Sequence, residues 1–106
     1  MNMMNSCILE GVMTTKASSG ECFTLESTRY YKEWEEKKKQ STVVYCTTSG
    51  VSVDFVKDHI SEGDCVRVVG RLMFFPGING IGLFVEHVET KGNVIKSGKY
   101  NFTREI

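Results

Sequence analysis

Arginine and aromatic residues alternate with apolar ones between Asp64 and Phe75. Successive side chains of an extended chain point to opposite sides, so Arg67, Arg71 and Phe75 share one side. Guanidinium groups can pair with phosphates, and an aromatic ring offers a flat face on which a base can stack. The pattern therefore fits a strand that contacts a single-stranded polyanion. It also fits a solvated strand whose arginines extend their charged ends into water.

A second candidate lies in residues 29–39, which carry five cations and three acids. The cations are Arg29, Lys32, Lys37, Lys38 and Lys39. Charge runs of this kind are usually solvated surface. Here, however, three aromatic residues stand among the charges without an apolar periodicity that would bury them, namely Tyr30, Tyr31 and Trp34. This composition favours stacking of bases on the rings and pairing of the cations with phosphates.

The sequence offers little that could catalyse a reaction. His59 and His87 stand alone, and isolated histidines are more often structural than bases or metal ligands. On a strand, Glu86 and His87 would point to opposite faces. The sequence contains no nucleophile elbow, phosphate-binding loop or metal-ligand spacing. We therefore expect a binding protein rather than an enzyme, with neither a cofactor nor a metal.

Length, charge and cysteines narrow the class further. The 106 residues suffice for one domain, and 13 basic against 13 acidic residues leave it neutral. An anion site must then be a local patch. Four widely spaced cysteines lie in apolar runs, which indicates reduced, buried thiols in a reducing cytoplasm: Cys7, Cys22, Cys46 and Cys65. Neither a membrane-spanning run nor a signal-peptide pattern is present in the sequence, so no membrane partner is expected.

Hydrophobic patterning predicts five strands and one helix. The strands are residues 5–13, 21 to about 32, 41–48, 64–75 and 81–89. The helix spans Val51 to Ile60. We expect a bulge or bend at Gly11, a long exposed loop at residues 32–40, core packing of Phe74, and an edge strand or a mobile segment in residues 90–106.

This order of three strands, one helix and a closing hairpin predicts an all-β fold. The fold is the five-stranded oligonucleotide-binding (OB) Greek-key barrel with one α-helix between strands 3 and 4. In such barrels the second and third strands and the flanking loops bind the ligand. A meander sheet with one packed helix is the alternative. In either fold residues 1–106 form one domain, with its core at about residues 5–89.

Several short motifs resemble, in the same order, those of the bacterial single-stranded DNA-binding protein family. They are residues 5–11, similar to Asn-x-Val-x-Leu-x-Gly; residues 23–25, similar to Phe-x-Leu; Val43-Val44; the end of the helix with its turn, residues 59–66; and residues 66–72, similar to Val-x-Val-x-Gly-Arg-Leu. The last motif is the most specific. In length the chain is also similar to primosomal replication protein N, a dimeric relative of that family.

The resemblance implies single-stranded DNA as partner, with RNA left open, and a homo-oligomer, either dimer or tetramer, in the cytoplasm at the nucleoid. Two departures from the family pattern stand out. Gln40 replaces a stacking Trp before the third strand, and Cys46 replaces a later aromatic, which would deplete the ligand face. The family's acidic tail has no counterpart in these residues, so partners recruited through that tail are not expected.

Two functions follow from these observations. The first is a protein that coats or protects single-stranded DNA in replication, recombination or repair without strong sequence preference. The second is an OB-fold interaction or primosome accessory module with weak or no nucleic-acid affinity, which the neutral charge favours. For the first function, the residues expected to contact DNA are Lys16, Arg29, Tyr30, Tyr31, Lys32, Trp34, Lys37, Lys38, Lys39, Arg67, Arg71 and Phe75.

Overall fold

The computed structural model of the chain describes residues 3–92 and 103–104. The elements are β1 (Cys7–Lys16), β2 (Cys22–Glu33), β3 (Glu36–Thr48), α1 (Val51–His59), β4 (Cys65–Phe75), a 3-10 turn (Pro76–Ile78), β5 (Gly80–Gly92) and β6 (Thr103–Arg104). β1 pairs with both β2 and β4, and β3 pairs in parallel with β5. These pairings close a barrel, so the predicted strand order and helix position are confirmed and the meander is excluded.

Two parts of residues 90–106 are described: residues 90–92 continue β5, and Thr103–Arg104 form β6. β6 pairs antiparallel with Glu89 and Thr90 of β5 and so forms an edge strand. The rest of the segment expected to be an edge strand or mobile, residues 93–102 and 105–106, lies outside the described residues. Among the residues that are described, no helix is both long and apolar enough to cross a membrane.

The core is built from alternate positions of the strands and one side of α1. Phe23 and Leu25 of β2, Val66 and Val68 of β4, and Val56 of α1 are all buried. The register shift in the β1–β2 pair falls between Met13 and Thr15 rather than at Gly11, where a bulge or bend was expected. Side chains alternate along each strand, so one face of the sheet is buried and the other is polar, which is typical of a small closed barrel.

Both long hairpins extend past the barrel, which overturns two expectations. Residues 32–40 are not a loop, because β2 and β3 pair without interruption as far as Glu33 and Glu36. Phe74 is 55% exposed rather than in the core, because β4 outruns the barrel and pairs only with β5 there. We call residues 27–42 the charged arm and residues 72–83 the apolar arm.

The four cysteines are free thiols, but they are not equally buried. Cys46 is fully buried, whereas Cys7, Cys22 and Cys65 are half-buried, so the expectation of buried thiols is correct only for Cys46. Desolvation by burial, with a smaller contribution from neighbouring Cys7, raises the pKa of Cys46 to about 12. At neutral pH the thiol is therefore protonated and serves as a small apolar core residue.

Lys16 ends β1 beside the last turn of α1. Its Nζ donates hydrogen bonds to the carbonyl oxygens of Ile60 at 2.6 Å, Lys57 at 3.2 Å and Val56 at 3.4 Å. Carbonyls at the end of a helix lack partners within the helix and carry partial negative charge, so a cation there is stabilising. This lysine was expected to contact DNA; the structure instead places its ammonium group on the helix end.

Replacing Lys16 by Met should lower the free energy of unfolding by about 2 kcal/mol, because the carbonyls lose a charged donor while the aliphatic stem is kept. Urea denaturation of the Lys16→Met variant measures this change. Lys57→Met is the matched control, since it removes an exposed lysine from the same helix turn. Equal stability of the two variants would contradict the assigned role.

Candidate nucleic-acid interface

The charged arm ends in a tight two-residue turn. Trp34 and Glu35 are its central residues, with φ values of 53° and 67°. A two-residue turn with positive φ at both central positions matches the right-handed twist of the strands that it connects. Trp34 is 91% exposed at the tip. An indole held in the solvent by a fixed turn is available for contact with a ligand.

The two faces of the charged arm differ. Tyr30 and Lys32 of β2 lie opposite Lys39 and Lys37 of β3, so three lysines and a tyrosine share the face that continues the outer surface of the barrel. Tyr30 is 76% exposed on that face. Here the cations outnumber the acids, as a phosphate-binding surface requires.

The other face carries Arg29, Tyr31 and Lys38 in neighbouring positions. The Arg29 guanidinium carbon lies 5.3 Å from the centroid of the Tyr31 ring, a cation–π contact. Lys38 pairs with Glu33 at 3.4 Å, so part of its charge is neutralised. A shallow groove of about 360 Å³ runs along the arm and is lined by Tyr30, Tyr31, Lys32, Lys37 and Lys38.

A second aromatic cluster lies where β3, β4 and β5 meet. The rings of Phe75 and Tyr45 pack edge to face with centroids 5.4 Å apart. Arg71 places its guanidinium carbon 5.3 Å from the ring centroid of Phe84. Arg71 and Phe75, both expected contacts, thus each lie against an aromatic residue that the sequence analysis did not select, Phe84 and Tyr45 respectively.

Tyr45 could have been found from the alternation of β3. Its neighbour Cys46 is fully buried, so Tyr45 must point outward together with Val43. The resemblance had placed a lost stacking position at Cys46, and that placement is wrong because the Cys46 side chain lies in the core. Partial desolvation, followed by the nearby Cys22 thiol, raises the pKa of Tyr45 above its ordinary value.

β3 connects the aromatic cluster near the barrel to the outward face of the charged arm. Its outward positions run from Tyr45 through Val43 and Ser41 to Lys39. At about 3.3 Å per residue, this path covers roughly 20 Å. The result is a continuous strip that has aromatic rings near the barrel and lysines along the arm, and we call it the outer strip.

Arg67 lies elsewhere and is already paired. Its Nε donates to Glu10 Oε1 at 2.9 Å, and Nη1 donates to Glu89 Oε2 at 3.3 Å. Glu89 is almost fully buried and also lies 3.0 Å from His87 Nε2. Two carboxylates on one guanidinium leave little net charge for a phosphate. Gln40, the other departure from the family pattern, is exposed on β3 opposite Arg29.

The fold and the outer strip define an OB-fold domain with an exposed aromatic and cationic surface. No family model matches the sequence, and the search of curated proteins finds no relative. Solved structures with the same fold include a Plasmodium falciparum SSB in complex with ssDNA, with a TM-score of 0.64 and 14% identity over 81% of this chain and 90% of that chain.

Two further solved structures extend the comparison. The mitochondrial single-stranded DNA-binding protein Rim1 of Saccharomyces cerevisiae has a TM-score of 0.64 and 11% identity, covering 87% of this chain and 99% of that chain. PriB of Ralstonia solanacearum has a TM-score of 0.61 and 14% identity, covering 84% and 99%. The structural neighbours are thus single-stranded DNA-binding proteins and PriB, the primosomal relative, in agreement with the groups that the sequence motifs resemble.

Proposed function

We propose that the chain binds single-stranded DNA through the outer strip and coats or protects it in replication, recombination or repair, without strong sequence preference. The observation that carries the proposal is the continuity of Tyr45 and Phe75 with the lysines of the charged arm on one surface. Bases that are not paired can stack on the rings while the lysines follow the backbone. No catalytic group is needed for this role.

The contacts expected from the sequence divide into three groups under this proposal. Phe75 and Arg71 act at the barrel end of the strip, and Tyr30, Lys32, Trp34, Lys37 and Lys39 act along the arm. Arg29, Tyr31 and Lys38 are on the opposite arm face and contact DNA only if the strand wraps around the arm. Lys16 and Arg67 are left out, because other groups of the chain hold their charges.

Binding of oligothymidylate at low salt tests the proposal directly. Trp34 is the only Trp, so its fluorescence reports contact at the tip of the arm, and we expect saturable quenching that weakens as salt is added. Replacing Phe75 by Ala should weaken binding about 5- to 150-fold, the equivalent of one lost stack worth roughly 1–3 kcal/mol. Val51→Ala, at an exposed position at the start of α1, is the control.

Two outcomes of that titration would reject the proposal. Absence of saturable binding at low salt would favour the second function, a protein-interaction or primosome accessory module, for which the zero net charge is the supporting observation. Undiminished affinity of Phe75→Ala would show that the stacking surface lies elsewhere. The same titration with oligouridylate measures whether RNA is also a ligand.

We further propose that the protein acts as a homo-oligomer, a dimer or a tetramer, in the cytoplasm at the nucleoid. The pairing of β1 with β2 begins at Val12, so the edge of β1 from Cys7 to Glu10 is paired only on the side of β4 in the described structure. Open edges of this kind are commonly covered by another subunit.

A further inference from the structure

A pocket lies at the barrel end of the outer strip, where the start of β2, the end of β3 and the first turn of α1 meet. Its volume is about 390 Å³. Sites for small ligands commonly measure roughly 300 to 1,000 Å³, so the pocket has room for one nucleobase. The residues that line it include Glu21, Cys22, Tyr45, Thr47, Ser49 and Val53.

Tyr45 connects this pocket to the outer strip. Its ring packs edge to face against Phe75 of the strip. Desolvation first and the Cys22 thiol second raise the pKa of the Tyr45 hydroxyl, which places the thiol beside it. Thr47 pairs with Cys22 on β2 and, in parallel, with Phe84 on β5. A DNA strand that lies along the strip therefore meets the pocket next to Tyr45.

Main-chain contacts hold the walls of the pocket. The Thr48 amide donates to the Glu21 carbonyl oxygen at 2.9 Å, and the buried Thr48 hydroxyl donates to the Val85 carbonyl oxygen at 3.1 Å. A Cβ atom at Gly20 would lie 2.5 Å from the Val53 carbonyl oxygen, so the β1–β2 turn packs directly on the first turn of α1. The pocket is therefore formed before a ligand arrives, which lowers the cost of binding.

The groups that line the pocket suit a base. The Tyr45 ring and the Val53 side chain are aromatic and apolar. Within the described part of the chain, the hydroxyls of Thr47 and Ser49 form no hydrogen bond with another group of the protein. A hydroxyl can both donate and accept, so these two can bond either kind of group on the edge of a base. Apolar walls with a few polar groups are the usual composition of a small-ligand site.

Charge distinguishes a base from a phosphate as the occupant. Among the described residues that line the pocket, Glu21 is the one charged residue, and it is exposed and in no ion pair with them. Phosphate binding depends on cations, so a pocket with one acid disfavours a phosphate. A carboxylate only accepts hydrogen bonds. It therefore favours cytosine or adenine, which present an amino group, over thymine, which presents a carbonyl oxygen.

We propose that this pocket binds one unpaired base of the DNA strand at the barrel end of the outer strip, and that it favours a base with an exocyclic amino group. The base lies against Tyr45 and its amino group donates to the Glu21 carboxylate. The hydroxyls of Thr47 and Ser49 bond the rest of its edge. This inference rests on the proposed binding of single-stranded DNA, and it adds one position with a modest base preference to that site.

Alkylation of the cysteines with N-ethylmaleimide tests whether DNA occupies the pocket. Cys22 lines it, whereas Cys7 and Cys65, which are also half-buried, do not. Mass spectrometry after a short reaction gives the labelled fraction of each cysteine. Oligocytidylate at about ten times its Kd should slow labelling of Cys22 about 10-fold, since it leaves few pockets free, and should not change Cys7 or Cys65.

The base preference is tested with Glu21→Gln. The ratio of oligocytidylate affinity to oligothymidylate affinity should fall about 5-fold in this variant, because the amide removes the charge that favours the amino group. Taking a ratio cancels the salt effects that are common to both strands. Glu62→Gln removes an exposed acid outside the pocket and should leave the ratio unchanged. This measurement carries the test if Cys22 is not labelled in the free protein.

The outcomes separate the pocket from the proposed function. Absence of binding of both oligonucleotides at low salt would overturn both proposals. Binding that Phe75→Ala weakens, while Cys22 is labelled as fast as in the free protein, would overturn the pocket alone. So would an affinity ratio that is equal in the wild type and Glu21→Gln, because the amino group of the base would then not meet Glu21.

Discussion

Replacing Lys32, Lys37 and Lys39 together by Gln is expected to weaken binding of oligothymidylate about 100-fold at ~0.1 M salt and to have almost no effect near 1 M salt. For single strands, the logarithm of the binding constant falls by about 0.7 per phosphate contact for each tenfold rise in salt concentration, because each contact releases condensed counterions. Three contacts on one arm face thus account for about two powers of ten between these salt concentrations. The slope of log affinity against log salt should become less steep by about 2.

The design of this experiment distinguishes one arm face from the other. Each single change, such as Lys37→Gln, should cost about 5-fold at ~0.1 M salt. Lys38→Gln should cost less than about 2-fold, because Lys38 lies on the opposite face and pairs with Glu33. Lys57→Gln on α1 is the remote control. If Lys38→Gln weakens binding as much as Lys37→Gln does, the strand follows the other face or wraps around the arm.

The salt dependence of oligothymidylate binding is informative because the protein as a whole has no net charge. A globally basic protein attracts DNA from every side, whereas here the attraction must come from a local surplus of cations. The charged arm supplies that surplus at some distance from the acids of the barrel, such as Glu10 and Glu89, which are engaged with Arg67. The charged arm also carries Glu33, Glu35 and Glu36, but Glu33 and Glu36 lie on the face opposite Lys32, Lys37 and Lys39, so the surplus of cations is confined to one face of the hairpin.

The barrel could be predicted from the sequence because its signals are local and apolar. The run from Val66 to Gly70 alternates as a half-buried strand must, and Val53 and Val56 recur at helical spacing. The arm could not be predicted, because residues 36–41 contain only charged and polar side chains and no hydrophobic face. Their strand conformation comes from pairing with β2, which is a tertiary effect that composition does not reveal.

The candidate site could be predicted only in part, for reasons of register and partner choice. A shift of one residue on β3 exchanges Tyr45 for Cys46 on the outer face, and motif matching cannot resolve a shift of that size. The cations Lys16 and Arg67 find partners that are 44 and 57 residues away in sequence, Ile60 and Glu10. Contacts at such separations leave no trace in the local pattern that suggested a phosphate site.

Gly70→Ala is expected to lower the free energy of unfolding by about 3 kcal/mol, at the upper end of the cost of overpacking. A Cβ atom at position 70 would lie 2.1 Å from the carbonyl oxygen of Phe84 and 3.0 Å from the Cα of Val85, both backbone atoms of β5. Backbone cannot rotate away as a flexible side chain can, so β4 and β5 would have to separate. Urea denaturation at one fixed protein concentration measures the loss.

Gly77→Ala is the matched control, because a Cβ atom there meets no atom within 4 Å among the described residues, and its stability should change by less than about 0.5 kcal/mol. Equal stability of the two alanine variants would contradict the close approach at Gly70.

Separation of β4 and β5 in Gly70→Ala also has a consequence for binding. Gly70 lies at a register shift of the β4–β5 pair, next to Arg71, which contacts Phe84. Folded Gly70→Ala protein should therefore also bind oligothymidylate more weakly. The close spacing of β4 and β5 that this glycine permits holds the Arg71 guanidinium against the Phe84 ring at the barrel end of the outer strip.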